Sequence, residues 1–140
     1  MKRDLMSNIH PVVAIAPVVV ADNTVQKSAA IDVRKYNSVT FLIALGTLAD
    51  VDATFAVVIK EGSTSTQASH TAVAAVDLIG TNALASFTFA DDGEMRKIGY
   101  KGAADYVSIE ITPTNNAGNA PMAVVAVFEP LDFPAPNPPQ

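Results

Sequence analysis

Apolar residues in this chain recur at every second position over short stretches, and each stretch closes on Gly, Asn or Asp. That period of two is the signature of strands that bury one face. In residues 38–45, Val39, Phe41 and Ile43 share one side, while Leu42 and Ala44 share the other, so both faces of this strand are expected to be covered. Phe55, Val57 and Ile59 alternate with Thr54, Ala56, Val58 and Lys60 in the next strand. The clearest alternation places Val107, Ile109 and Ile111 toward a core and Tyr106, Ser108, Glu110 and Thr112 away from it. In residues 122–128 both registers are apolar, which predicts a central strand or a subunit contact.

Weaker signals fill the gaps. A short strand is predicted over 25–33, and residues 61–72, rich in Gly, Ser, Thr and Gln, read as an exposed loop. One helical turn is predicted over 71–76 with Thr71 as its cap. A short strand is expected at 77–79, and another over 83–90 with Phe87 and Phe89 on one face. Asp91-Asp92-Gly93 is a turn signal, and it predicts a hairpin between that strand and residues 95–100. Seven or eight short strands at this spacing predict an all-β fold, a single antiparallel β-sandwich or jelly-roll-like barrel.

The two ends differ from the middle. Residues 1–10 are mixed and polar and are expected to be extended or mobile. Pro11 and Pro17 interrupt a β-prone run ending at Val20; because proline has no ladder donor, this run belongs at a sheet edge or in an arm along a neighbour. From Pro130 the chain holds five of its nine prolines, which favours an extended, polyproline-like tail. The expected organisation is an N-terminal arm and edge strand at 1–20, a sandwich domain at 21–129 and a Pro-rich tail at 130–140. Val12, Val13, Ile15, Val18 and Val20 in the arm, with Leu131 and Phe133 in the tail, are the candidate partner-binding residues.

Composition narrows the function. The 140 residues suffice for one domain. With 49% apolar residues but only 6% aromatic ones and no Trp, the core is expected to be aliphatic and thin. A net charge of −5 with scattered Lys and Arg argues against a nucleic-acid partner. No apolar run reaches membrane-span length, and Asp4, His10, Pro11 and Pro17 spoil any export signal, so no membrane partner is expected. There is no Cys, hence no disulfide or thiolate site. His10 and His70, far apart in expected loops, do not suggest a metal site or a catalytic triad; His70 reads as solvated. Asp91, Asp92 and Glu94 lack calcium-loop spacing and read as a solvated turn, with Asp50 and Asp52 able to join them only if the fold brings them close. No enzyme activity and no cofactor is expected.

Several segments resemble small virion proteins of tailed bacteriophages and prophages. They are Met1-Lys-Arg-Asp-Leu with Asn8-Ile-His-Pro, Ser38-Val-Thr-Phe, Gly46-Thr-Leu-Ala-Asp-Val-Asp-Ala-Thr-Phe, Asp77-Leu-Ile-Gly-Thr, Ala85-Ser-Phe-Thr-Phe-Ala-Asp-Asp, Lys97-Ile-Gly-Tyr, Tyr106 to Pro113, and Asn115-Asn-Ala-Gly-Asn. The resemblance runs to about Phe128; the Pro-rich ending is less typical of the family. It implies a non-enzymatic capsid decoration (cement) protein on the outer head surface, assembled in the bacterial cytoplasm. The implied partners are the major capsid protein and neighbouring copies of the chain itself as a homo-oligomer. Other readings are a head–tail joining, tail-tube or head-fibre protein, or a receptor- or glycan-binding β module.

Overall fold

The computed structural model describes residues 4–131. The strands are β1 (His10–Val20), β2 (Gln26–Lys27), β3 (Ile31–Asp32), β4 (Tyr36–Leu45), β5 (Thr54–Gly62), β6 (Thr71–Ala72), β7 (Leu78–Ile79), β8 (Phe87–Thr88), β9 (Met95–Tyr100), β10 (Tyr106–Thr114) and β11 (Ala120–Pro130). A four-residue helix, α1 (Asn82–Ala85), precedes β8. Pairing is antiparallel and nested: β1 lies beside β11, β2 and β3 beside β10, β4 beside β9, and β5 beside β8. The chain is thus one long hairpin rolled up, which is jelly-roll topology. Sheet one runs β1-β11-β4-β9-β7, and sheet two runs β2-β10-β5-β6, with β3 and β8 added alongside β10 and β5.

The two sheets pack face to face as a β-sandwich. Alternation dictates what goes between them. Phe41 and Ile43 of β4, Ile59 of β5, Ile109 of β10, and Val124 and Phe128 of β11 are all essentially inaccessible. Each such side chain contributes about 1.5–3 kcal/mol by leaving water. Four of the aromatic side chains form two stacks. Phe55 and Phe87 stack with centroids 4.8 Å apart. Tyr36 stacks on Phe128 at 4.3 Å and on His10 at 5.6 Å. As the double-register pattern predicted, β11 is central, between β1 and β4.

Several local expectations are corrected. Residues 25–33 form two short strands because Ser28 interrupts them. Its N–H donates to the Ile109 carbonyl, and its Oγ accepts the Ile109 N–H, both at 3.0 Å. A side chain here substitutes for a ladder carbonyl. The helical turn expected at 71–76 is instead β6 followed by a 3-10 turn at Ala75–Asp77. The strand expected over 83–90 is α1, β8 and a 3-10 turn at Phe89–Asp91; Phe87 is buried and Phe89 is exposed. The Thr81 Oγ1 caps α1 by accepting the Leu84 N–H at 3.1 Å.

This detour serves the sheet. β6 and β8 cover only the two ends of the β5 edge. Between them, Ser86 Oγ accepts the Val57 N–H at 2.9 Å and Asn82 Oδ1 accepts the Ile59 N–H at 3.4 Å. Side chains therefore satisfy donors that would otherwise form an open edge. The Asp91-Asp92-Gly93 turn is present, with Gly93 at φ 68°. It does not close a hairpin: β8 belongs to sheet two and β9 to sheet one. The turn carries the chain across the sandwich, anchored by Asp92 Oδ1, which accepts the Leu48 N–H at 2.5 Å.

The Phe55–Phe87 stack joins the detour to β5. Phe87→Ala is expected to destabilise the fold by about 3–5 kcal/mol in urea unfolding, from lost burial and the cavity left behind. A loss under about 1 kcal/mol would show that β8 is peripheral to the core.

Candidate interaction surface

The outer faces of the two sheets differ in kind. On sheet two, Lys60 Nζ lies 2.8 Å and Lys27 Nζ 3.7 Å from the Glu110 carboxylate. The Lys60 hydrogen bond holds Glu110 below the usual carboxylate range, against the opposing effect of burial. His70 covers the same face and is buried, contrary to its expected solvated position. Its Nδ1 is 2.9 Å from the Ser108 Oγ and its Nε2 is 2.9 Å from the Thr64 carbonyl. The loop of 63–70 thus folds back and fastens onto β10 through one imidazole. His10 is buried too, as the first residue of β1 rather than in a loop.

Sheet one presents a different surface. In-register residues of neighbouring strands share a face. One row across it is Val13–Val125–Leu42–Lys97. The next is Pro11–Val127–Thr40–Gly99–Ile79. A third is Ala123–Ala44–Met95. An antiparallel sheet facing water ordinarily carries polar residues at these positions. Here the rows are almost wholly apolar, and Val13, Ile79 and Met95 are each more than half exposed. Two shallow grooves lie on this side of the molecule. One, of about 370 Å³, is bordered by Val19, Ala44, Pro121 and Ala123. The other, of about 570 Å³, is bordered by Ile79, Leu84, Met95 and Lys97. A contiguous apolar patch of this kind marks an interaction site.

The candidate partner-binding residues divide sharply. Val12, Ile15, Val18 and Val20 pair with Ala126, Val124, Met122 and Ala120 and turn toward the core. Val13 alone of the five faces outward, and Val19, not singled out from the sequence, is exposed farther along β1, opposite Pro121. Two register shifts, between Val13 and Ile15 and between Ile15 and Val18, break the simple alternation. Leu131 is exposed at the end of β11, where its N–H donates to the Lys35 carbonyl at 3.3 Å. Phe133 lies outside the described residues. Residues 6–8, within the stretch expected to be extended or mobile, form a 3-10 turn in which Asp4 Oδ1 accepts the Ser7 N–H. Leu42, Val125 and Val127 complete the surface; their signal in the sequence was the apolar second register of β4 and β11.

Several other polar groups are paired internally. Arg96 pairs with Asp91 and lies 3.3 Å from Glu94. Asp50 accepts backbone N–H groups from Asp52 and Ala117, which lowers its pKa. Among the described residues, no three His, Asp or Glu side chains converge to hold a metal. A cleft of about 320 Å³ lies between residues 33–39 and 100–105. At its wall the Tyr100 hydroxyl donates to Glu61 at 2.5 Å and accepts the Ala104 N–H at 3.1 Å; burial pushes its pKa far up, reinforced by Glu61. Arg34 at its mouth is paired with Asp32, which is held down at about 2.

No family profile matches the chain, and neither does any curated protein sequence. Among solved structures it is similar to the SPBc2 prophage-derived protein YomS at 10% identity, with a TM-score of 0.49 over 86% of this chain and 93% of that one. It is similar to a chain of the capsid of Ralstonia phage GP4 at 13% identity, with a TM-score of 0.46 over 89% of this chain and 83% of that one. A chain from Bacillus endospore appendages, described as a family of disulfide-linked pili, gives 11% identity and a TM-score of 0.44 over 94% and 98%. Likenesses this distant carry no functional weight.

The Glu110 cluster makes stability pH-dependent. A depressed carboxyl pKa stabilises the fold fully above its ordinary value of 4.5 and loses that contribution as the pH falls through the folded value. Glu110→Gln is therefore expected to lower the melting temperature at pH 7, with the gap to the parent narrowing toward pH 3. A gap independent of pH would contradict the ion-pair account.

Proposed function

We propose that the chain is a non-enzymatic structural protein of a tailed-phage virion, acting as a decoration protein on the outer face of the head. The sequence resemblance supports the virion reading. The observation that carries the decoration reading is the position of the two chain ends. His10 opens β1 opposite Phe128, two residues before β11 ends at Pro130. The chain therefore enters β1 and leaves β11 side by side, at one end of one sheet. Leu5, Met6 and Leu131 are exposed there.

A sandwich whose two terminal segments emerge together can lay both across neighbouring major capsid subunits while the body stays outside. Each contact need only be weak, because many copies on one lattice raise the effective concentration of the next contact. Binding only to the assembled shell stabilises that shell by mass action. The polar, internally paired face of sheet two suits exposure to solvent.

The test is binding to capsids that lack the protein, scored by pelleting and counting copies. Saturable binding at hundreds of copies per shell is expected. Deleting residues 1–9 is expected to abolish or greatly weaken it, and this deletion spares β1, whereas removing 1–20 would take Ile15 and Val20 out of the core. Unchanged occupancy after deleting both 1–9 and 132–140 would overturn the bridging mechanism. Binding at a dozen copies or fewer would place the protein at a unique vertex or the tail instead.

A further inference from the structure

We infer that the outer face of sheet one is the contact surface between two copies of this chain, packed face to face about a two-fold axis. The inference stands apart from the decoration reading, since it concerns what the chain does with itself.

The edge of the sheet is the first alternative, and the residues oppose it. β1 is the long exposed edge, but Pro11 and Pro17 remove donors and two register shifts disturb its line. These are devices that discourage strand addition. The other edge, β7, has only two residues. Association through sheet one therefore goes by its face.

The size of that face is adequate. Five strands about 4.8 Å apart, with rows spanning about eight residues, cover roughly 600 Å² before side-chain relief is counted. Standard interfaces use about 800 Å² per partner.

Charge selects a second copy over an unrelated partner. The face carries one cation, Lys97, and one anion, Glu129, at opposite ends. Among the described residues Lys97 has no ion pair, and Glu129 meets only the Ser38 Oγ at 3.4 Å. They lie two strands and four residues apart, roughly 17 Å. A two-fold axis in the plane of the face, passing midway near Thr40, brings each Lys97 onto the partner's Glu129 while the apolar rows meet between them. A self-complementary patch is what a two-fold dimer requires. The alternative occupant is a capsid subunit, and the experiment separates the two.

The full chain is examined alone by sedimentation velocity over a wide concentration range. A reversible species of twice the 14.6 kDa chain mass is expected. Val125→Lys should leave only the monomer, with circular dichroism verifying that it folds. Lys97→Glu and Glu129→Lys should each raise the dimer dissociation constant about tenfold or more, and combining them should restore it. Charge exchange changes no buried apolar residue, so its readout survives if Val125→Lys fails to fold. A parent chain that remains monomeric throughout overturns the inference, as does a dimer indifferent to both charge reversals. Capsid pelleting of the monomeric variant reports separately. Retained capsid binding supports the self-contact. A parent that is monomeric alone but loses capsid binding through Val125→Lys assigns the face to the shell and overturns it. Failure of the parent to bind capsids sinks the decoration reading and leaves the dimer result untouched.

Discussion

The pairing of the first long strand with the last holds the rest of the structure in place. β1 pairs with β11 along its whole length, in a register that runs from His10 opposite Phe128 to Val20 opposite Ala120. This pair closes the nest of strands, so every inner pair lies within its span. It also makes β11 central, supplies Ile15 and Val20 to the core, and brings the two chain ends together. The contacts it depends on are almost the longest in sequence that the chain permits, so folding must bring its two ends together before the core is complete.

The same pair produces the difference between the two outer faces. Because β11 is flanked by β1 and β4, its second register, Ala123, Val125 and Val127, lies among further apolar residues from both neighbours. Sheet two satisfies its outer polar groups through Glu110, Lys60, Lys27, His70 and Ser108. Sheet one leaves an apolar surface edged by Lys97 and Glu129, which form no ion pair among the described residues. One outer face is thus polar and internally paired, and the other is largely apolar. The chain ends sit at the margin of the latter.

Most of the sheet framework was legible in the residues. Alternation located β4, β5, β10 and β11 because each is long enough for period two to show, while β9 was placed by the turn that precedes it. The failures share a cause: where strands shrink to two residues, side-chain hydrogen bonds decide the structure, and alternation has nothing to report. Ser28, Thr81, Asn82 and Ser86 each take over a backbone group's role through a hydroxyl or amide. His70 misled for a related reason, since its polar neighbours in sequence are not its neighbours in space. The run of 11–20 was read as an edge strand or a docking arm; it is the edge strand β1, and Val12, Ile15, Val18 and Val20 turn inward while Val13 faces outward. The interaction surface was visible only as unexplained apolar residues in the second register of β4 and β11. Knowing which face they formed required the strand order.

The measurement that tests the central claim most directly is an electron cryomicroscopy reconstruction of capsids saturated with the protein. The account predicts paired sandwich densities with the β1–β11 ends toward the shell and the outer faces of sheet one opposed across a two-fold. Sandwiches seated on the shell through the polar face of sheet two, with their chain ends pointing to solvent, would contradict it.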